Sequence, residues 1–320
     1  MVKIAFFGTP AFAVPSLAQL VAEGEQIVMA ITQPDRPRGR GHRVQPSPLK
    51  TAALAHRIPV LQPERVGDPG FAAALASCGA DLGVVAAYGK ILPDTILHTP
   101  RHGTINVHAS LLPRYRGAAP VHRAIIAGER ETGVTMIRLV REMDAGPMLA
   151  RVVRSIADDE TSDVVDRALA ELGARLLVST VRDIAAGRAT EQPQDHALAT
   201  LAPRLTTEDG RLDWIRPARA IHNLVRGLHP WPHAFSFLDG SRYLILRTGV
   251  EASSGPAAAR APGEIVEAGA DRLRVACGEG TVLAIHELQP EGRRRLPTRA
   301  FLAGHPIDLP AVFQSFPSAE

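Results

Sequence analysis

The sequence predicts an α/β fold: a Rossmann-like open, mostly parallel sheet with helices on both faces, followed by a small OB-like β-barrel. Three observations lead there. Strand-like and helix-like segments alternate through the first half, which is the signature of βαβ units. A long helical pattern over residues 161–186 closes that half at Gly187. Beyond it, short alternating runs separated by glycine turns replace the helices, as in a small antiparallel barrel. A chain of 320 residues also exceeds the usual single-domain range of ~100–200, so two domains are expected. The boundaries expected are 1–189 for the Rossmann-like domain, 190–204 for a linker without periodicity, and 205–320 for the barrel.

Taken in order, residues 3–7 form a buried-strand pattern ending in Gly8-Thr9-Pro10, and residues 15–23 read as a helix with proline in its first turn. Residues 27–32 are the second strand, 49–57 a helix, and 59–61 a short strand. A helix over 70–78 leads through Gly79 into a strand at 82–87. A strand at 103–108 precedes a helix at 119–127 and a strand-like run at 135–140. In the second half a helix is expected at 218–228, with strands at 243–247, 263–267, 272–276 and 282–287. The glycine turn after the first strand matches neither G-x-G-x-x-G nor a phosphate-loop lysine motif, so nothing points to a dinucleotide or ATP.

Composition excludes several classes. With 45% hydrophobic and 22% charged residues the chain is neither disordered nor fibrous. No apolar run reaches the roughly 18 residues of a membrane span. Cys78 and Cys277 lie far apart without ligand neighbours, which predicts no disulfide framework and no metal site and fits a reducing cytoplasm. No sustained amphipathic seam calls for a partner subunit, so a monomer is expected. Charge is more informative in its distribution than in its formal net of +3. Residues 34–50 hold Arg36, Arg38, Arg40, Arg43 and Lys50 against the single acid Asp35, with four prolines and two glycines. Such a stretch forms no helix and buries no core, so it is expected to be exposed and suited to phosphate contacts.

The chemistry is expected at Asn106-Val107-His108. Side chains alternate along a strand, so Asn106 and His108 project together from one side of its end while Ile105 and Val107 face the other. In α/β sheets that end is where ligands bind. An isolated Asn-x-His pair is most often just polar edge residues, but a Ser110-Leu111-Leu112-Pro113 turn follows it, and a carboxylate, Asp144, follows the next strand-like run. An amide and an imidazole are donors for an oxyanion, and a carboxylate orients the imidazole and takes part in proton transfer. Ser110 lacks a G-x-S-x-G elbow, so no acyl-enzyme is expected.

Together with Phe7-Gly8-Thr9-Pro10, Gln33-Pro34-Asp35-Arg36-Pro37, Gly39-Arg40-Gly41, Ala87-Tyr88-Gly89, Arg116-Gly117-Ala118-Ala119-Pro120, Asp144-Ala145-Gly146 and Pro230-Trp231-Pro232, these residues closely resemble the folate-dependent formyltransferases, and specifically their tRNA-acting branch. The resemblance runs in order over almost the whole chain. It implies transfer of the formyl group of 10-formyltetrahydrofolate to the methionine α-amino group of initiator Met-tRNA, with no covalent enzyme intermediate and no metal. It implies Asn106, His108 and Asp144 as the catalytic set, and folate contacts from Ser110, Leu111, Leu112, Pro113, Ala87, Tyr88 and Gly89. Core packing is the competing reading for Leu111 and Leu112. It further implies tRNA contacts from Arg36, Arg38, Arg40, Arg43 and Lys50, with weight on Arg40. Two other readings compete: formyl transfer to a small amine, and a noncatalytic RNA-binding module. The basic loop and second domain count against the first, and the intact Asn–His–Asp set against the second.

Overall fold

The computed structural model describes residues 2–38, 43–251 and 260–317. It divides into two compact units: Met1–Pro120 with Glu131–Ser155 and Val165–Pro203, and Val121–Arg130 with Ile156–Val164 and Arg204–Glu320.

The first unit is built from β1 (Lys3–Gly8), α1 (Ala13–Ala22), β2 (Gln26–Ile31), β3 (Arg36–Arg38), β4 (Arg43–Gln45), α2 (Pro48–Ala55), β5 (Val60–Leu61), α3 (Pro69–Ser77), β6 (Leu82–Ala86), α4 (Asp94–Leu97), β7 (Thr104–His108) and β8 (Arg116–Gly117). After Pro120, α5 (Pro120–Ile126) falls in the second unit, and the first continues with β9 (Glu131–Arg138), β10 (Met148–Ser155), most of α6 (Ser162–Ala185) and β11 (Leu201–Ala202). Seven strands form the main sheet in the order β10-β9-β7-β6-β1-β2-β5. The β1, β2, β5, β6 and β7 pairings are parallel, whereas β9 runs antiparallel to both β7 and β10. The central strands β1 and β6 are buried on both faces and read as nearly unbroken apolar runs, as in Leu82–Ala86. One face carries Ala5, Phe7, Ile31 and Val85 against Phe71, Leu75, Ile96 and Leu97 of α3 and α4.

Several strands escape the sequence patterns. Residues 148–155 form an edge strand whose arginines Arg151 and Arg154 interrupt its apolar positions, and none of its residues is fully buried. Within the basic loop, β3 pairs antiparallel with β4, Arg36 opposite Gln45 and Arg38 opposite Arg43. The expected linker is also more ordered than its polar sequence implies. Residues 190–203 belong to the first unit: Gln192 exchanges two backbone hydrogen bonds with Met148, and β11 pairs parallel with β8. These are discrete polar bonds, which leave no apolar period in the sequence.

The second unit carries α7 (Ala218–Gly227), β12 (Ala234–Leu238), β13 (Ser241–Glu251), β14 (Ile265–Gly269), β15 (Arg272–Ala276), β16 (Val282–Pro290), β17 (Leu296–Pro297) and α8 (Thr298–Gly304). Its six-stranded sheet runs β12-β13-β16-β15-β14 with β17 on β16, antiparallel throughout. Both edges of that path are bridged by the same C-terminal segment, Gln314 to Phe237 of β12 and Val312 to Glu264 beside β14. These bridges satisfy part of the backbone that an open antiparallel sheet leaves exposed at its edges.

Candidate active site

Asn106 and His108 lie on β7, the strand where the parallel part of the sheet meets its antiparallel edge; Asn106 sits opposite Ile137 and His108 opposite Thr135. The expected alternation holds. Val107 points away from them toward α6, where a β-carbon on Gly173 would lie only 3.0 Å from its Cγ1. The loop after β9 returns Asp144 to the same strand end. Its Oδ2 accepts from the Gly117 backbone N–H at 2.9 Å and stands 3.6 Å from His108 Nδ1, while Asn106 Nδ2 lies 3.5 Å from its Oδ1. Three residues that are 38 positions or fewer apart in the chain thus converge on one carboxylate.

His108 is buried at 5% exposure, with its Nε2 at 3.0 Å from the Tyr115 carbonyl oxygen. Both ring nitrogens therefore face oxygen acceptors. Asn106 is less committed: the long contact to Asp144 leaves its amide a donor, half-exposed at the strand end. Asp144 itself adopts φ +51°, a left-handed conformation uncommon for a residue with a side chain. Such a conformation persists only where neighbours hold it. Here Gln194 Nε2 donates to the carbonyl oxygens of Asp144 and Gly146 at 2.8 and 2.7 Å.

The Ser110–Pro113 turn is an internal brace. Ser110 is fully buried; its hydroxyl donates to the Arg114 carbonyl at 2.7 Å, and its own carbonyl accepts from Thr135 Oγ1 at 2.7 Å. The Leu112 N–H donates in turn to Thr135 Oγ1, and its side chain is core. Leu111 and Pro113 are half-exposed and are the members of the turn open to a ligand. At the end of β6, Ala87 and Gly89 are exposed, but the Tyr88 ring is packed edge-on against Phe7 inside the core. Burial pushes its phenol up to about 12, and only its carbonyl faces polar groups, accepting from Thr9 Oγ1 and Gln33 Nε2. The Tyr88 ring thus packs in the core beside Phe7, which leaves Ala87 and Gly89 as the exposed members of this segment.

Of the basic loop, Arg36 is exposed. Arg40 lies outside the described residues, as do the side chains of Arg38 and Arg43. Lys50 is partnered. Its ammonium donates to Asp35 Oδ2 at 2.5 Å and to Gln62 Oε1 at 2.7 Å, while Gln62 Nε2 donates to Asp35 Oδ1 at 2.7 Å and to the Gln33 carbonyl at 3.0 Å. The Lys50 and Gln62 bonds hold the Asp35 carboxyl below the usual carboxylate range. In the second unit Arg226 is buried and donates to Asn223 and to the carbonyls of Ala157 and Glu160. Arg211 and Arg242 stack over Phe316 and Phe235, 4.5 and 3.9 Å from the ring centres, around a cavity of about 320 Å³.

Among the described residues no group of three or more His, Cys, Asp or Glu side chains could hold a metal ion, and no helix is long and apolar enough to cross a membrane. Both cysteines are free thiols.

A family model described as "Formyl transferase" matches residues 2–181, and one described as "Formyl transferase, C-terminal domain" matches residues 204–306. The chain is 48% identical over 306 residues to the methionyl-tRNA formyltransferase of Citrifermentans bemidjiense, covering 95% of this chain and 94% of that one. It is 44% identical to that of Geobacter sulfurreducens, covering 96% and 95%. The chain belongs to the methionyl-tRNA formyltransferase family. Its fold is also that of an N-formyltransferase from Helicobacter canadensis solved with folinic acid and dTDP-3-aminofucose, at a TM-score of 0.65 and 16% identity over 91% of this chain and all of the other. A glycinamide ribonucleotide transformylase from Symbiobacterium toebii shares it at a TM-score of 0.51 and 20% identity, over 61% of this chain and 95% of that one.

Arg116, Gly117, Thr135 and Gln194 were not singled out by sequence reasoning as site residues. Gly117 and Arg116 lie in a motif that carried the family resemblance, which is a usable signal. Gln194 has none: it sits in a polar run and is recognisable only by being buried there at 5% exposure.

Proposed function

We propose that this chain transfers the formyl group of 10-formyltetrahydrofolate to the α-amino group of methionine on initiator tRNA. The observation that carries the chemistry is the convergence of Asn106, His108 and Asp144 at the carboxyl end of β7. Full-length similarity to relatives named for methionyl-tRNA supports the acceptor.

In this reading the amine lone pair attacks the formyl carbon and the carbonyl electrons move onto oxygen. Asn106 Nδ2 and His108 are the donors to that oxyanion, Asn106 being the readier because its amide has only the 3.5 Å contact to exchange. His108 must give up or share its bond to the Tyr115 carbonyl. Asp144, oriented by the Gly117 N–H, accepts the amine proton directly or through an ordered water. The intermediate collapses by breaking the bond from carbon to the folate N10, which takes up a proton as it leaves. The exposed backbone of Ala87 and Gly89, with Leu111 and Pro113, lines the folate side. Charged initiator tRNA and 10-formyltetrahydrofolate should yield formylmethionyl-tRNA. Product from a small amine such as glycinamide ribonucleotide, and none from tRNA, would move the chain to the small-amine branch of the superfamily.

Arg36, Arg38, Arg40 and Arg43 are proposed as the tRNA-contacting cations, phosphate contact being the role that suits clustered arginine. Arg40→Ala should raise the KM for tRNA several-fold and leave that for the folate unchanged; equal changes in both would argue against the loop. Lys50 is proposed as the loop's anchor, tying Asp35 at one end to α2 at the other. Lys50→Ala should let the Asp35 carboxyl, followed by NMR titration, rise toward its ordinary value. A carboxyl depressed in the folded state stabilises above its unfolded pKa and loses that contribution as pH falls through the folded value. The anchor should therefore be intact at neutral pH and released only in acid, and an unshifted Asp35 in the variant would remove Lys50 from this role.

A further inference from the structure

The segment 191–202 runs along both loops that build the site and is bonded to each. Glu191 accepts from Arg138 Nε at 2.9 Å at the end of β9. Gln192 bridges Met148 by two backbone bonds, both 2.8 Å. Thr200 receives the Tyr115 and Arg116 backbone N–H groups on its hydroxyl and carbonyl, at 2.9 and 2.8 Å, and β11 then pairs with Arg116 and Gly117. The centre of this segment is Gln194, buried while its neighbours Pro193 and Asp195 are exposed.

Every polar atom of the Gln194 amide is used. Nε2 donates to the carbonyls of Asp144 and Gly146, and Oε1 accepts from Arg116 Nε at 3.1 Å and Nη2 at 2.6 Å. Arg116 precedes Gly117, whose N–H holds the Asp144 carboxylate, and Gly117 itself is pressed against the segment at φ +124°, where a β-carbon would meet the Ala202 carbonyl at 2.8 Å. One amide thus ties the backbone of the Asp144 turn to the strand that orients the Asp144 side chain. Buried amides so fully satisfied are costly to disturb and rigidify what they join.

We propose that Gln194 is a positioning residue for the reaction: through Asp144 and Gly146 on one side and Arg116 on the other, it sets the Asp144 carboxylate against Asn106 and His108. The inference rests on the catalytic assignment of Asp144 made above. Gln194 touches no reacting atom. Its contribution lies in fixing the left-handed backbone at Asp144, and a displacement of the carboxylate of about 1 Å is enough to cost on the order of a hundred-fold in rate.

The test is Gln194→Met, which keeps the volume and removes both donors and the acceptor. It is compared with Asp144→Asn and with the double variant, in the full-length enzyme with 10-formyltetrahydrofolate and charged initiator tRNA. Gln194→Met should lower kcat by about ten- to a hundred-fold, leaving both KM values within roughly two-fold of the parent. In the Asp144→Asn background the same change should cost less than about two-fold, since a group that acts through another has no effect once that other is gone. If Gln194→Met fails to fold, Gln194→Asn, which withdraws the amide by one carbon, takes its place. An unchanged kcat, an equal loss in both backgrounds, or a rise confined to the KM for tRNA would each overturn the proposal. Near-parental turnover by Asp144→Asn alone would instead overturn the catalytic assignment on which it rests.

Discussion

Replacing Asp144 by asparagine is expected to leave the fold intact and to lower kcat by about a thousand-fold, the scale associated with losing a preorganised charge at a reacting centre. The fold should survive for two reasons. Asparagine tolerates the left-handed backbone at φ +51° better than most residues, and its amide oxygen can still accept the Gly117 N–H. The chemistry should not survive. With the amide oxygen turned to Gly117, the amide nitrogen faces Asn106 Nδ2, so a donor meets a donor where the carboxylate now stands 3.5 Å away. The imidazole loses its anionic neighbour at 3.6 Å, and the attacking amine loses its proton acceptor. Steady-state kinetics with charged initiator tRNA, alongside a thermal melt, measure both halves. A stable variant with near-parental kcat would remove Asp144 from the mechanism.

Gly146→Ala is expected to damage stability and catalysis together. A β-carbon at this position would sit 1.8 Å from the Arg138 carbonyl oxygen and 3.0 Å from its carbon. Both are backbone atoms of β9, the strand paired with β7, so relief cannot come from rotating a side chain. The turn carrying Asp144 has to move away from β9, breaking the bond that the Gly146 carbonyl accepts from Gln194. Overpacking at a site with so little room costs about 3 kcal/mol. The displacement would also draw the carboxylate away from His108, so kcat should fall by at least ten-fold even at temperatures where the variant is folded. A melt indistinguishable from the parent would show that the turn has slack that these distances do not reveal.

Much of the fold was legible because its elements are long and regular in their apolar residues. The strands at 3–7, 27–32, 82–87 and 103–108 and the helix at 161–186 were recognisable within a residue or two of the observed Lys3–Gly8, Gln26–Ile31, Leu82–Ala86, Thr104–His108 and Ser162–Ala185. Burying a sheet on both faces demands continuous apolar strands, and that demand is written locally. Met148–Ser155 was missed for the converse reason: as an edge strand it needs only partial burial, and arginine fills positions that a central strand would give to valine. The short hairpin of Arg36–Arg38 with Arg43–Gln45 lies in a stretch of prolines and glycines that carries no strand period at all.

At the site, Asn106 and His108 could be placed together by strand alternation alone, and Asp144 by the motif that follows the next strand. Tyr88 could not be resolved that way. The same motif that suggests a ligand turn also follows a buried strand, and only packing against Phe7 decides that its ring belongs to the core. Lys50 is a similar case: counted as a loop cation, it is partnered with Asp35 and Gln62.

What the sequence by itself determined was the class of fold, the family, and the three side chains at the end of β7, because each rests on residues near one another in the chain or on motifs read as units. Only the tertiary structure decided how those side chains are held. Gln194 lies 50 residues from Asp144 and 78 from Arg116, and the bonds joining them are hydrogen bonds between polar groups. Apolar burial repeats with the period of a helix or a strand and so leaves a pattern, whereas a single long-range hydrogen bond has no period and becomes visible only when the chain is folded.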